Sequence, residues 1–295
     1  MHKFLRTIGF SLYQKDREIE KLLDDLCEDL TGLKRIQIDE ESNLCELRRE
    51  VALGMGIAIF GEMDREGKFQ RSYYYPYLKS NDMTSKVACS IQRHTERETY
   101  AGLLDEYKVG ISLIFYIDNS FDCRERIIDH HPLETRDVYL TGLAVSGKVL
   151  LPIQKTEIQR EKARVAAKDR NTLLEAAKNG DEDAMETLTI EDIDLYSQAS
   201  RRVMKEDLYS IIDSCFMPCG VECDQYSIIG EIVKIDEKKN QITKEEVYDF
   251  TLECSDLVFH VGIAKKDLVG TPEIGRRFKG QIWMQGTVNF SEPVE

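Results

Sequence analysis

The sequence predicts an α+β protein in three parts, and the hydrophobic period carries that prediction. Apolar residues alternate over most of residues 56–153, follow the 3.6-residue period of helices over 157–216, and alternate again from Tyr226 onward. The expected units are an N-terminal α+β domain over 1–155 with a mostly antiparallel sheet, a helical connector over 156–224, and a small antiparallel OB-like β-barrel over 225–295. A chain of 295 residues, 42% of them hydrophobic, can fill more than one core.

The first expected element is a helix. Asp16 stands as its cap, Ile19, Leu22, Leu23, Leu26, Cys27 and Leu30 fall on one face, and Gly32 stops it. Strand-like runs follow at 56–63, 68–78, 87–92, 109–117 and 137–153, the first two joined by the turn Asp64-Arg65-Glu66-Gly67 as a hairpin. Residues 157–180 are rich in helix formers and end in Asn-Gly. Asp181 caps a short helix through Leu188, and Thr189-x-x-Asp192 reads as a capping box for a longer helix reaching about Phe216. Ile193, Tyr196, Ser200, Val203, Leu208, Ile211, Ile212 and Cys215 form its expected buried side. Four or five short strands then follow, broken by turn-rich segments.

Charge and composition exclude several functions. The formal charge is −14, spread along the chain, which disfavours nucleic acid because phosphate backbones need basic patches. The longest apolar run, at 51–60, is half what a membrane span needs, and the opening residues hold no secretory apolar stretch. A soluble, cytoplasmic protein with no membrane association is expected, and its eight cysteines read as reduced, mostly buried thiols.

Asp129-His130-His131, behind two isoleucines, matches the tripeptide of the DHH phosphoesterases. A two-metal centre needs further carboxylates from other strand ends, and the chain has no upstream Asp-x-Asp, so a polar loop fixed by Pro132 is the preferred reading. Cys215, Cys219 and Cys223 match neither zinc-ribbon nor iron–sulfur spacing. The acidic run 181–194 has Met185 and Glu186 where a calcium loop needs an oxygen ligand and glycine, so its charge is assigned to helix N-termini. No phosphate loop, dinucleotide fingerprint or nucleophile elbow occurs. No cofactor is expected.

Two aromatic features remain. Tyr73, Tyr75 and Tyr77 fall on one strand face with Tyr74 on the other, suited to packing more than to ligand stacking. In the last strand, Phe278, Gly280, Ile282, Met284, Gly286, Val288 and Phe290 form an apolar inner face. Arg277, Lys279, Gln281, Trp283 and Gln285 lie on the other side, and these five are the candidate binding residues. The preferred reading of that face is that another part of the chain or a second copy covers it.

The stretches HKFLRTIGF, LLEAAKNGDEDAMETLT, EDLYSIIDSCFMPCGVECDQYSIIGEI and KKDLVGTPEIGRRFKGQIWMQG together resemble a domain-of-unknown-function family of bacterial proteins over nearly the whole chain. The resemblance implies a bacterial, cytosolic protein and transfers no activity or ligand.

The leading functional expectation is a non-enzymatic binding or interaction protein whose partner is a protein or small ligand, with homo-oligomers possible. One alternative is a metal-dependent phosphoesterase-like hydrolase using Asp129, His130 and His131. A second is single-stranded nucleic acid on the barrel, with Trp283 stacking and Arg277 and Lys279 on phosphates.

Overall fold

The computed structural model describes residues 2–37, 40, 42–94, 99–106, 111–153 and 157–291. It is an α+β fold of two antiparallel-rich sheets, sealed by an N-terminal 3-10 helix, His2–Ile8, and extended by a helical hairpin. Among the described residues no helix is long and apolar enough to cross a membrane.

The first sheet is a meander of β1 (Gly32–Gln37), β2 (Ser42–Ala52), β3 (Met55–Asp64) and β4 (Phe69–Leu78). The expected hairpin at 64–67 is present between β3 and β4, whereas β1 and β2 were not expected. Their alternation is blurred by Arg35, Glu46, Arg48 and Arg49, which sit among apolar residues. Helix α1 (Asp16–Glu28) turns Ile19, Leu22, Leu23 and Leu26 inward as the pattern requires. Its cap is Lys15, not Asp16; the Glu18 carboxylate accepts from the Lys15 amide.

The second sheet holds β5 (Ser90–His94), β6 (Thr99–Glu106), β7 (Ile111–Ile117), β8 (Thr135–Leu150), β9 (Cys215–Pro218), β10 (Gln225–Lys239), β11 (Glu246–Cys254), β12 (Leu257–Ala264), β13 (Leu268–Val269) and β14 (Arg277–Phe290). The path β8–β12–β11–β10–β14 returns to β8, because β14 pairs with β8 along nearly its whole length. The one parallel contact in that circuit is β12 with β8 at His260–Gly262. Strands from before residue 155 and after residue 225 therefore share one sheet. The connector interrupts the chain between them but not the hydrogen bonding, which the local period of a sequence cannot reveal.

Two cores result. Phe278, Ile282, Met284 and Val288 face inward with Phe250, Phe259 and Val261, as the alternation of β14 indicated. Trp283, on the opposite face, joins a second core shared with β3, β4, α1 and Phe4. The N-terminal segment is latched over that face: Asn240 donates to the Ile8 carbonyl at 2.8 Å, Ser11 to Glu245 at 2.7 Å, and Arg6 Nε to Asp267 at 2.8 Å.

The connector differs from expectation. After α2 (Ser120–Ile128), which takes the place of an expected loop, the chain forms α3 (Glu157–Lys178) and α4 (Glu182–Val203). Asp181 does cap α4, accepting from the Ala184 amide at 3.0 Å. The helix then continues through Thr189, whose hydroxyl donates back to the Met185 carbonyl at 2.8 Å instead of capping a new one. It ends at Val203, followed by the single turn α5 (Leu208–Ile211), and Cys215–Pro218 pair with β10 as β9. Of the expected buried side, Ile193, Tyr196, Ser200, Val203 and Leu208 are exposed in the single chain, and Ile211, Ile212 and Cys215 are half-buried.

Candidate functional site

A concavity of about 1420 Å³ opens between β4, α1, the N-terminal 3-10 helix and β14. Both aromatic features singled out in the sequence reach it: Tyr73 and Tyr74 from β4, and Trp283 from β14. Phe4, Phe69 and Tyr116 complete the aromatic lining.

Local structure explains the convergence. Phe60 pairs with Tyr73 and Gly61 with Arg71, so Ser72 is an extra residue that bulges β4. A bulge bends its strand and re-aims neighbouring side chains. The rings then form a contact chain. Tyr73 stacks on Phe60 at 4.7 Å between centroids, Phe60 meets Tyr75 at 5.6 Å, Tyr75 meets Tyr116 at 4.8 Å, Tyr116 meets Trp283 at 5.4 Å, and Trp283 meets Phe4 at 5.1 Å. Such offset and tilted pairs contribute beyond their buried area.

The polar groups of the cleft are mainly acidic. Glu20, Asp24, Glu222 and Asp224 line it against Lys3 and Arg71. Arg71 is held by Glu20 and, at 3.1 Å, by Asp24. The Trp283 indole donates to Asp224 at 2.8 Å, and the Gln225 amide donates to Glu222. Burial pushes the Tyr74 phenol and the Cys27 thiol above their ordinary values, so both are neutral at pH 7.

Behind the aromatic wall lies a buried polar cluster. Arg48 donates to Glu46 from Nε at 2.9 Å and from Nη2 at 2.7 Å, and Nη2 also reaches the Asp118 carbonyl at 2.6 Å. Tyr75 donates to the same carbonyl at 2.8 Å, and Thr287 to the Asp118 carboxylate at 2.7 Å. Burial raises Glu46 above its ordinary value even against the opposing pull of Arg48. The Tyr116 hydroxyl is buried with no hydrogen-bond partner among the described residues, and burial holds it protonated.

The five candidate residues of β14 are not one open face. Trp283 is only 6% exposed, its indole facing the cleft floor. Gln285 is buried and donates to the Pro76 carbonyl at 2.8 Å. Arg277 is buried too, its guanidinium occupied by the carbonyls of Leu151 at 2.9 Å, Tyr209 at 2.7 Å and Ile212. Lys279 is half-buried and lies over the Tyr209 ring at 4.2 Å, and Gln281 alone is exposed. The alternation of β14 was legible; its cover, supplied by α5, β4 and residues 2–8, comes from distant parts of the chain. Phe4, Tyr116 and the cleft carboxylates carried no local signal.

The tripeptide Asp129-His130-His131 sits on the exposed turn after α2, with His130 at φ 57°. Among the described residues no group of three or more His, Cys, Asp or Glu side chains is placed there or elsewhere to hold a metal ion. The cysteines are free, with Cys45, Cys89, Cys123 and Cys254 buried and Cys223 exposed.

One polar site went unseen in the sequence. His260 on β12 is buried, with Nδ1 2.9 Å from Asp249 and Nε2 2.8 Å from Asp82. Lys238 adds a contact to Asp249 at 3.1 Å. With a carboxylate at each ring nitrogen, the imidazole bridges β11 to the segment that follows β4.

The fold and cleft together define an α+β protein with an aromatic, acid-rimmed cleft between its sheets. The chain belongs to the family described as a domain of unknown function, E. rectale gene description (DUF3881), whose model matches residues 5–286. No curated protein and no solved structure matches it.

Proposed function

We propose that the protein is a non-enzymatic binding protein whose cleft takes an extended cationic ligand with apolar groups, such as a basic, aromatic-containing peptide segment. The observation that carries this reading is the joining of six aromatic rings with four carboxylates and two cations in one cavity. Its volume of about 1420 Å³ exceeds the usual ~300–1,000 Å³ of small-molecule pockets, which favours a longer ligand. The ring faces turned to the cavity, half-buried at Phe69 and Tyr116 and nearly covered at the other four, attract ammonium and guanidinium groups, and an acidic rim adds attraction for the same charge. The circuit β8–β12–β11–β10–β14 supports reading the scaffold as an OB-like barrel in which β8 supplies one strand from the first half of the chain. A cytoplasmic location accords with the free thiols.

Trp283 is the chain's only tryptophan and lines the cleft, so its fluorescence reports occupancy directly. N-acetylated Phe-Arg-Phe-Lys should produce a saturable change that Asp224→Asn or Tyr73→Ala weakens. Phe-Glu-Phe-Glu should produce none. Equal responses to both peptides, or no saturable response to the basic one, would overturn the reading.

A further inference from the structure

Helix α4 carries a stripe that its own chain leaves uncovered. Met185, Thr189, Ile193, Tyr196, Ser200 and Val203 recur at spacings of 4, 4, 3, 4 and 3 residues, a mean of 3.6, so all six share one narrow face. All are exposed, Ile193 at 61% and Tyr196 at 76%. The side of α4 turned to α3 is a different one. Ala184 and Leu188 are buried there, and Arg170 of α3 reaches Glu191 at 3.4 Å and Asp192 at 2.6 Å. An apolar stripe this long, at the spacing of a packed helix face, marks an interaction surface.

The charges on α4 identify the occupant. Glu182, Asp183, Glu186, Glu191, Asp192 and Asp194 lie within its first thirteen residues, and Arg201 and Arg202, followed by Lys205, close its end, Arg202 being paired with Glu206 of its own chain. A second α4 laid parallel would set acid against acid and base against base. Laid antiparallel, each acidic half meets the basic end of the other, and the helix dipoles oppose favourably.

We propose that α4 is a homodimerisation helix, packed antiparallel on the α4 of a second copy across a two-fold axis near Asp194 and Leu195. The symmetry places Ile193 opposite Tyr196 of the second copy and Met185 opposite its Met204, each contact made twice, as an isologous interface requires. The helices are about 33 Å long at 1.5 Å per residue, so the stripe meets its partner along its length. Glu186 and Arg201 flank the stripe on the same side and come together between copies. This dimer is independent of the cleft and its ligand.

The test is sedimentation velocity of the full chain over a concentration series, with far-UV circular dichroism and Trp283 emission as fold controls. The wild type should be a dimer. Ile193→Asp with Tyr196→Ser should weaken it by about a hundredfold, the expected order for losing two anchors at the centre of an interface, with both controls unchanged. Because that variant also alters helix propensity, a second set isolates the pairing: Glu186→Arg alone and Arg201→Glu alone should each weaken the dimer, and the two together should restore it. A wild type monomeric at every concentration, a dimer indifferent to Ile193→Asp with Tyr196→Ser, or charge reversals without mutual rescue would each overturn the proposal.

Discussion

His260 and Asp249, neighbours across β12 and β11, form a buried pair with ring Nδ1 2.9 Å from the carboxylate, while Asp82 holds Nε2 from outside the sheet. Burial by itself lowers the imidazole's pKa, but the two carboxylates outweigh it and the value lies above the ordinary 6.5. A folded value above the unfolded one means the bridge contributes fully below pH 6.5 and is lost as pH rises through the folded value. Thermal melts across that range should show the wild type losing an advantage over His260→Gln as pH increases. Amide exchange at residues 80–86 should accelerate over the same interval. Parallel pH profiles for the two proteins would refute the bridge.

Trp283 should emit at short wavelength and resist iodide in the ligand-free protein, since it is almost fully covered and hydrogen-bonded to Asp224. Trp283→Ala should cost about 3–5 kcal/mol in urea unfolding, the range for deleting a buried large aromatic. Trp283→Phe keeps the ring contacts with Phe4 and Tyr116 and should cost markedly less. A long-wavelength, readily quenched emission would contradict the covered position.

Arg48→Met should destabilise by about 3–5 kcal/mol at neutral pH, because it strands the Glu46 charge in the interior. Glu46 lies above its usual pKa in the intact protein, so its protonation relieves the burden in acid. The gap between wild type and Arg48→Met should therefore narrow toward pH 5. Adding Glu46→Gln to Arg48→Met should recover much of the loss, and a penalty equal at all pH values would rule out the stranded carboxylate.

Gly286→Ala should destabilise by about 1–3 kcal/mol through overpacking. A Cβ there would stand 2.6 Å from the Phe115 ring and 3.0 Å from Leu140. Phe115→Leu should soften the effect in a double-mutant cycle, whereas additivity would show that the ring is not the obstacle.

What the sequence made legible was local. Ile19, Leu22, Leu23 and Leu26 announced α1, and the even positions of β14 announced the inner core, because each follows from a short repeat. Residues 42–52 hid a strand because Glu46, charged yet buried, pairs with the half-buried Arg48, which breaks the expected alternation. The stripe on α4 read as buried because Ile193, Tyr196 and Val203 have the spacing of a packed face; spacing states that a face is apolar and leaves open which chain covers it. For the cleft, Tyr73, Tyr74 and Trp283 stood out individually. Their meeting depends on pairings between residues some 200 positions apart in sequence, beyond the reach of any window.

The place of β8 sets an order of events during synthesis. As strands, β1 to β4 form ladders only with one another among the described residues, so the first sheet can form while later residues are still being made. β8 emerges early, yet its long antiparallel neighbour is β14 and its parallel neighbour is β12. From the release of residue 150 until residues 277–290 leave the ribosome, the long edge of this sixteen-residue strand that pairs with β14 waits unfilled. Unpaired edges of that length recruit other chains. Nascent chains stalled between residues 150 and 277 should therefore be the ones that bind chaperones and aggregate.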